Sequence, residues 1–346
     1  MKVKWIPTLA VLFGAQVALA VALELRADRL TPVQPDTVLV ATDLGNADHL
    51  RIDGPVGPDQ PASGAARTGA HIELVKHGGR WTLPGHFDAP ADAAKVETLL
   101  KTLHTLHRGF PIATTADAAD RFAVGAHHYE RRLVAQAGST TLTTVYLGNS
   151  PGLRKADARV ADDHGVYAVD LATYEVPTGA DAWLDTGLLD HDTAQLAEID
   201  VTVPGKPTLE LQRSGTSWQA KGLAPDQQLA ASQATALVSA IGDVKVDALL
   251  GEQPKPAWHQ DQPALVLVMK DQAGKSVTWT LLKQDKTEEV VLKASDHPWY
   301  LALQPINAQP LLAAAAPDKL VVAAAPAPAP AGAASSAGAA VRQAQR

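Results

Sequence analysis

Two stretches of the chain are versions of one unit, and that duplication constrains the fold more than any single motif does. Ile72-Glu73-Leu74-Val75-Lys76, then a glycine, then Trp81, returns as Leu209-Glu210-Leu211-Gln212-Arg213, a glycine and Trp218, 137 positions later. A repeat of that length is a whole small domain rather than a solenoid unit. The 346 residues therefore read as two tandem copies, residues 36–176 and 190–312, each long enough to bury its own core.

The order of elements is the same in both. In the first copy, Val38-Leu39-Val40 and Leu50-Arg51-Ile52 read as short strands, and a Gly/Pro-rich insertion over 54–69 has no counterpart in the second copy. Residues 71–76 alternate as a strand, Gly78-Gly79 makes a turn, and 80–83 forms the strand that carries Trp81. A helix opened by Pro90 follows. Its Val96, Leu99, Leu100, Leu103 and Leu106 keep the 3.6-residue spacing, with Asp92, Lys95, Glu97 and Lys101 on the other face. Segments 131–136 and 141–147 pair around Gly138, and 166–169 closes the unit. In the second copy, 199–203 and 208–212 pair across Pro204-Gly205, Trp218 lies on the next strand, and Pro225 precedes a helix. There Leu237, Val238, Ile241 and Val244 stand where Leu99, Leu100, Leu103 and Leu106 stood. Segments 265–269 and 276–282 turn at Gly274, and 299–302 closes. The expected fold is α+β, each copy a mostly antiparallel sheet covered by one helix. The tryptophans, placed beside a turn and before an amphipathic helix, read as core residues rather than ligand-stacking ones.

Both termini differ in kind from the repeats. Lys2 and Lys4 precede a stretch, 5–23, whose strongly polar residue is Gln16. As a helix those nineteen residues would measure roughly 28 Å, close to a hydrocarbon core of about 30 Å. The lysines orient such a span with the N-terminus in the cytoplasm and the bulk of the chain outside. Ala18-Leu19-Ala20 and Ala20-Val21-Ala22 also fit a processing site, which would make the segment 1–25 a cleaved signal rather than an anchor. No cysteine is present, which excludes a lipoprotein, disulfides, thiolate catalysis and Cys-type zinc sites. At the far end, 313–346 is almost entirely Ala, Pro, Gly and Ser, and is expected to be a disordered tail. A net charge of −7 and no clustered basic surface exclude nucleic acid as a partner.

The strand pair ending in a Gly-x-x-Trp turn, followed by Ala91-Asp92-Ala93-Ala94-Lys95-Val96 leading a Leu-rich helix, resembles a bacterial family catalogued as domain of unknown function 4340. The resemblance covers roughly residues 36–312 and includes the preceding span. Its shared motifs are packing motifs. It implies an association with an ABC-type exporter and its gliding-motility-like auxiliary subunit.

No reactive constellation survives inspection. Gly148-Asn149-Ser150-Pro151-Gly152 fits the nucleophile-elbow spacing, yet the residue after the nucleophile must lend a backbone N–H to the oxyanion hole, and Pro151 has none. Gly274-Lys275-Ser276 imitates the end of a phosphate loop, but Met269 stands where that loop needs glycine. His104 and His107 share a helix face by spacing, with His127-His128 in the next loop, and read as solvent-facing rather than as ligands for zinc or copper. Asp117, Asp120, Asp157, Asp162 and Asp163 lie in loop-like surroundings without the alternation a calcium loop needs. No catalytic, cofactor-binding or metal-binding residue is assigned. The resulting expectation is a non-enzymatic, membrane-anchored envelope protein with a duplicated interaction module, accessory to an export complex. The alternative is a periplasmic ligand-binding or carbohydrate-processing protein with a cleft between the repeats.

Overall fold

The computed structural model describes residue 16 and residues 37–57, 70–284 and 287–324. The expected span at 5–23, most of the 54–69 insertion and the tail beyond 324 lie outside the described residues. No described helix is long and apolar enough to cross a membrane. The chain divides into two units, one ending at Leu184 and the other beginning at Asp185.

In the first unit the strands are β1 (Thr37–Val38), β2 (His49–Asp53), β3 (His71–His77), β4 (Arg80–Leu83) and β5 (Ala89–Pro90). The helix α1 (Ala93–Thr105) follows, then β6 (His107–Arg108) and α2 (Ala116–Arg121). The strands β7 (Arg131–Ala137), β8 (Thr140–Leu147), β9 (Ala156–Val160) and β10 (Tyr167–Val169) complete it. Eight of these strands make one antiparallel sheet in the order β10-β9-β8-β7-β2-β3-β4-β5. Alternation decides what faces inward: Leu50 and Ile52 on β2, Ile72 and Leu74 on β3, and Trp81 and Leu83 on β4 are buried. Over them lies the α1 stripe of Val96, Leu99, Leu100 and Leu103, each worth about 1.5–3 kcal/mol of burial. A second cluster, Val56, Val124, Tyr129, Tyr146 and Val166, is sealed by Ala119 and Phe122 at α2.

Three sequence expectations change here. Pro90 does not open α1; it pairs with Thr82 in β5, and the helix starts three residues later, at Ala93, where the Asp92 carboxylate caps it by accepting the Lys95 N–H at 3.0 Å. The 38–40 strand is only Thr37–Val38, paired with β6 outside the main sheet. The unit also does not stop at 176. Trp183 is fully buried, its indole N–H donates to the Pro177 carbonyl at 2.9 Å, and its own carbonyl accepts the Asp92 N–H at 2.8 Å.

In the second unit the elements are β11 (Leu196–Thr202), β12 (Leu209–Ser214), β13 (Ser217–Ala220), β14 (Gln227–Leu229), α3 (Ala231–Gly242) and β15 (Ala248–Gly251). Then come β16 (Leu265–Asp271), β17 (Ser276–Lys283), β18 (Val290–Ala294), β19 (Tyr300–Leu303), α4 (Pro305–Ala314), α5 (Pro317–Leu320) and β20 (Val321–Ala323). The sheet order is β13-β12-β11-β16-β17-β18-β19-β15. Taken in chain order, β11, β12, β13, β16, β17, β18 and β19 hold the places that β2, β3, β4, β7, β8, β9 and β10 hold in the first sheet. The added edge strand differs, β5 beside β4 in one sheet and β15 beside β19 in the other. The hairpin turns need left-handed backbone, and Gly138 (φ 56°) and Gly274 (φ 84°) supply it at corresponding places.

The expectation of one covering helix and a disordered 313–346 fails over residues 313–324. Pro305 and Pro317 stand at helix starts, where a missing N–H costs nothing, and α4 and α5 both pack on α3. Ala308, Leu311 and Leu320 are completely buried. β20 then pairs with β14, Leu229 opposite Val321.

Candidate functional site

Beside α1 the first unit has a cleft of about 320 Å³. One wall is the turn carrying Asp43, Leu44 and Ala47, the other is the Glu97, Lys101 and His104 edge of α1, and Lys76 and Trp81 close it from the sheet. Lys76 and Trp81 are cross-strand partners, with the ammonium 5.6 Å from the ring centre. That ammonium also pairs with Glu97 at 3.3 Å. Asp43 accepts the Gly45 N–H at 2.9 Å, and His104 Nδ1 lies 3.1 Å from the Thr42 carbonyl. Trp81 is 1% exposed, and its indole N–H has no acceptor among the described residues. An unpaired buried donor costs about 1–3 kcal/mol.

The second unit builds the same corner and closes it. Arg213 and Trp218 are cross-strand partners, the guanidinium 5.0 Å from the ring. Asp192 accepts the Ala194 N–H at 3.0 Å, the turn that Asp43 makes with Gly45. Here the turn 193–195 sits against α3 itself. Gly242 stands where α1 has His104, and a Cβ there would lie 3.1 Å from the Thr193 methyl. Arg213 donates to the Thr193 carbonyl at 2.7 Å. Trp218 is half-exposed, which corrects the expectation that both tryptophans are core residues. A smaller cleft of about 170 Å³ lies under the same turn, between His191, Met269 and Lys275. His191 packs on Trp279 at 5.4 Å, and burial pushes its pKa down.

The sequence candidates for chemistry are dispersed. The Ser150 hydroxyl lies 2.9 Å from the carbonyls of Gly152 and Lys155 and so belongs to its own turn. Gly148 is required by close approach, since a Cβ there would meet the Phe122 carbonyl at 2.0 Å. His104 is on α1, but His107 is on β6, so the two do not share a helix face as the spacing suggested. His127 and His128 lie in the loop before β7. Gly274-Lys275-Ser276 is a hairpin turn. Asp117 and Asp120 are on α2, and Asp162 is on a surface turn. No group of three or more His, Asp or Glu that would hold a metal occurs among the described residues.

Two carboxylates prove more constrained than their loop-like sequence suggests. Asp163 accepts the Gly165 N–H and the Tyr167 hydroxyl, each at 2.9 Å, and pairs with Arg108. The Gly165 N–H above all, with Tyr167 and Arg108, holds its carboxyl below the ordinary range despite burial. Asp157 on β9 is 3% exposed with one carboxyl oxygen unpartnered, and burial raises its pKa. Arg108, Tyr167 and Asp163 are separated by up to 59 positions, and no local pattern links them.

A different feature lies at the start of β9. Leu153 is 90% exposed and Tyr174, after β10, is 64% exposed. Their neighbours tie the two loops: Arg154 pairs with Glu175 at 3.6 Å, and Lys155 with Asp170 at 2.8 Å. Within the loops the Ser150 hydroxyl bonds the Gly152 and Lys155 carbonyls, and Glu175 accepts the Ala172 N–H, so the two large apolar side chains are displayed on hydrogen-bonded backbone.

Residues 81–263 match the family model described as Domain of unknown function (DUF4340). No curated protein and no solved structure matches the chain.

Proposed function

We propose a holding role for this chain, which belongs to the DUF4340 family: it binds a partner protein at the cell envelope and converts no substrate. The observation that carries this reading is the exposed pair Leu153 and Tyr174, braced by Arg154–Glu175 and Lys155–Asp170. Large apolar side chains held in water on an ordered loop are what a protein contact uses, because burying them on a partner costs little further ordering. The seven-strand order common to both sheets supports a duplicated module, residues 36–176 and 190–312 being its copies. What corresponds between them is turns, apolar stripes and a cation over a tryptophan, which are groups for packing and contact. On this reading the segment 5–23 anchors the chain in the inner membrane, the two units lie on the periplasmic side, and the partner is part of an ABC-type export complex. A photo-crosslinker at position 153, in cells, tests it. The expected result is one discrete adduct whose partner is a membrane-complex subunit and which is lost in Tyr174→Glu. Absence of any adduct, or an adduct indifferent to Tyr174→Glu, overturns it. A reporter active only outside the cytoplasm, fused after Arg346, is expected to be active.

A further inference from the structure

We infer that the loop Gly109-Phe110-Pro111-Ile112 is a membrane contact, which rests its apolar tip in the surface of the bilayer that holds this chain. The inference builds on the proposed anchor at 5–23. Phe110 is 52% exposed and Ile112 46%, with Pro111 exposed between them. Three consecutive apolar side chains left in water call for a function. No charged residue occurs over 109–116, between Arg108 and Asp117. Arg108 is itself paired with Asp163 and lies on the Tyr167 ring at 4.6 Å. Lipid also penalises backbone donors that lack a partner. Pro111 has no N–H, and the Ile112 N–H donates to the Val166 carbonyl at 2.8 Å. Val166 belongs to a buried cluster, and its own N–H donates to the Ala113 carbonyl, so the loop is fixed to the core at its base.

The place of the loop in the first unit selects the bilayer as its occupant. The loop directly follows β6, and β6 pairs antiparallel with β1, Thr37 opposite Arg108. The start of β1 and the end of β6 therefore lie together, and the chain enters the unit at the end that carries Phe110. Thirteen residues, 24–36, separate the 5–23 segment from β1, and they span at most about 45 Å. A contact tethered this closely needs little affinity of its own, because a short linker keeps its effective concentration high. Leu153 and Tyr174 are displayed differently. Arg154, Lys155, Asp170 and Glu175 flank them, four charges that suit the polar rim of a protein contact and are costly in lipid.

The chain has no cysteine, so single spin labels can be placed at Phe110→Cys, Ile112→Cys and Leu153→Cys without further change. All three positions are exposed, and none of the substitutions threatens the fold. The full chain is reconstituted in vesicles of phosphatidylethanolamine and phosphatidylglycerol, and collisions of each label with oxygen and with a water-soluble nickel chelate are compared. The ratio of oxygen to nickel collisions is expected to be severalfold higher at 110 and 112 than at 153. Adding Phe110→Asp to the chain labelled at 112 is expected to remove that excess. A label at 110 that samples water as fully as the one at 153, or a signal at 112 indifferent to Phe110→Asp, overturns the inference. So does a discrete protein adduct from a photo-crosslinker at 110 in cells combined with a water-exposed label in vesicles, which would make the loop a protein contact. A chain that does not float with the vesicles overturns the anchor reading and this inference together, whereas a floating chain with a water-exposed label at 110 overturns this inference alone.

Discussion

Each unit of this chain has a corner where helix meets sheet, with a cation over a tryptophan and an aspartate-capped turn, and the two corners are finished differently. In the first unit the tryptophan is sealed, its N–H lacks an acceptor, and a cleft separates turn from helix. In the second the tryptophan is half-exposed, the turn lies on the helix, and an arginine bonds the turn's carbonyl. The two helix edges differ at three positions. Glu97, Lys101 and His104 are long; Thr235, Ser239 and Gly242, in the same places, are short. The short side chains accompany the turn that packs on its helix, and the long ones line the open cleft. One scaffold thus yields a closed corner or an open one without a change of topology.

The largest test of this contrast is to truncate both tryptophans. Trp81→Ala is expected to destabilise the first unit by about 3–5 kcal/mol, as for a buried aromatic. Trp218→Ala is expected to cost the second about 1 kcal/mol, mostly its contact with Arg213. Denaturant unfolding followed by hydrogen exchange in α1 and α3 measures each unit separately, and equal costs would break the comparison. Next in size is Gly242→His, which puts the first unit's residue in the second. The new Cβ meets Thr193, so a cost of about 1–3 kcal/mol and faster exchange across 193–195 are expected.

A smaller effect separates the two cations. Arg213→Ala should cost about 1–2 kcal/mol, because it leaves the Thr193 carbonyl without its charged donor. Lys76→Ala should cost less than about 1 kcal/mol, since its ion pair with Glu97 is solvent-exposed. The smallest contrast is in pH dependence. Asp163 in the first unit has a lowered pKa, so its contribution is present above the unfolded value of about 3.9 and is lost as pH falls through the folded one. Asp200 in the second is pushed up by burial, then by Glu210 and Glu198. It therefore favours folding as pH falls through that raised value and opposes folding above it. Asp163→Asn should flatten the acid limb of the first unit's stability curve. Asp200→Asn should stabilise the second at neutral pH, and thermal melts from pH 3 to 7 record both.

The elements that carry strong local signals were legible before the structure. The α1 stripe, both hairpins and the buried Trp81 follow from spacing and turn residues. β9 was not, because Ala156-Asp157-Ala158-Arg159 lacks the β-branched and aromatic residues that mark strands. α4, α5 and β20 were hidden in an Ala/Pro-rich composition, although Pro305 and Pro317 were helix-start signals in plain view. The state of Trp218 could not be read from its neighbours, since it depends on a turn 25 positions earlier. The cleft was beyond reach for the same reason. It is a gap between segments whose separation only packing sets.

The pairing of β20 with β14 has a consequence for how the protein is made. The strand β14 waits for a partner encoded more than ninety positions later, and α3 waits for α4 and α5 to cover it. The first unit has all its residues once Leu184 has emerged. The second lacks part of its core for the 139 residues from Asp185 to Ala323, about 7–28 s at ~5–20 residues per second of synthesis. Through that interval the apolar face of α3, with Leu237 and Ile241, has no complete cover and is open to chaperones or to misassembly. A nascent chain stalled near position 315 should therefore carry a folded first unit and a protease-sensitive second one.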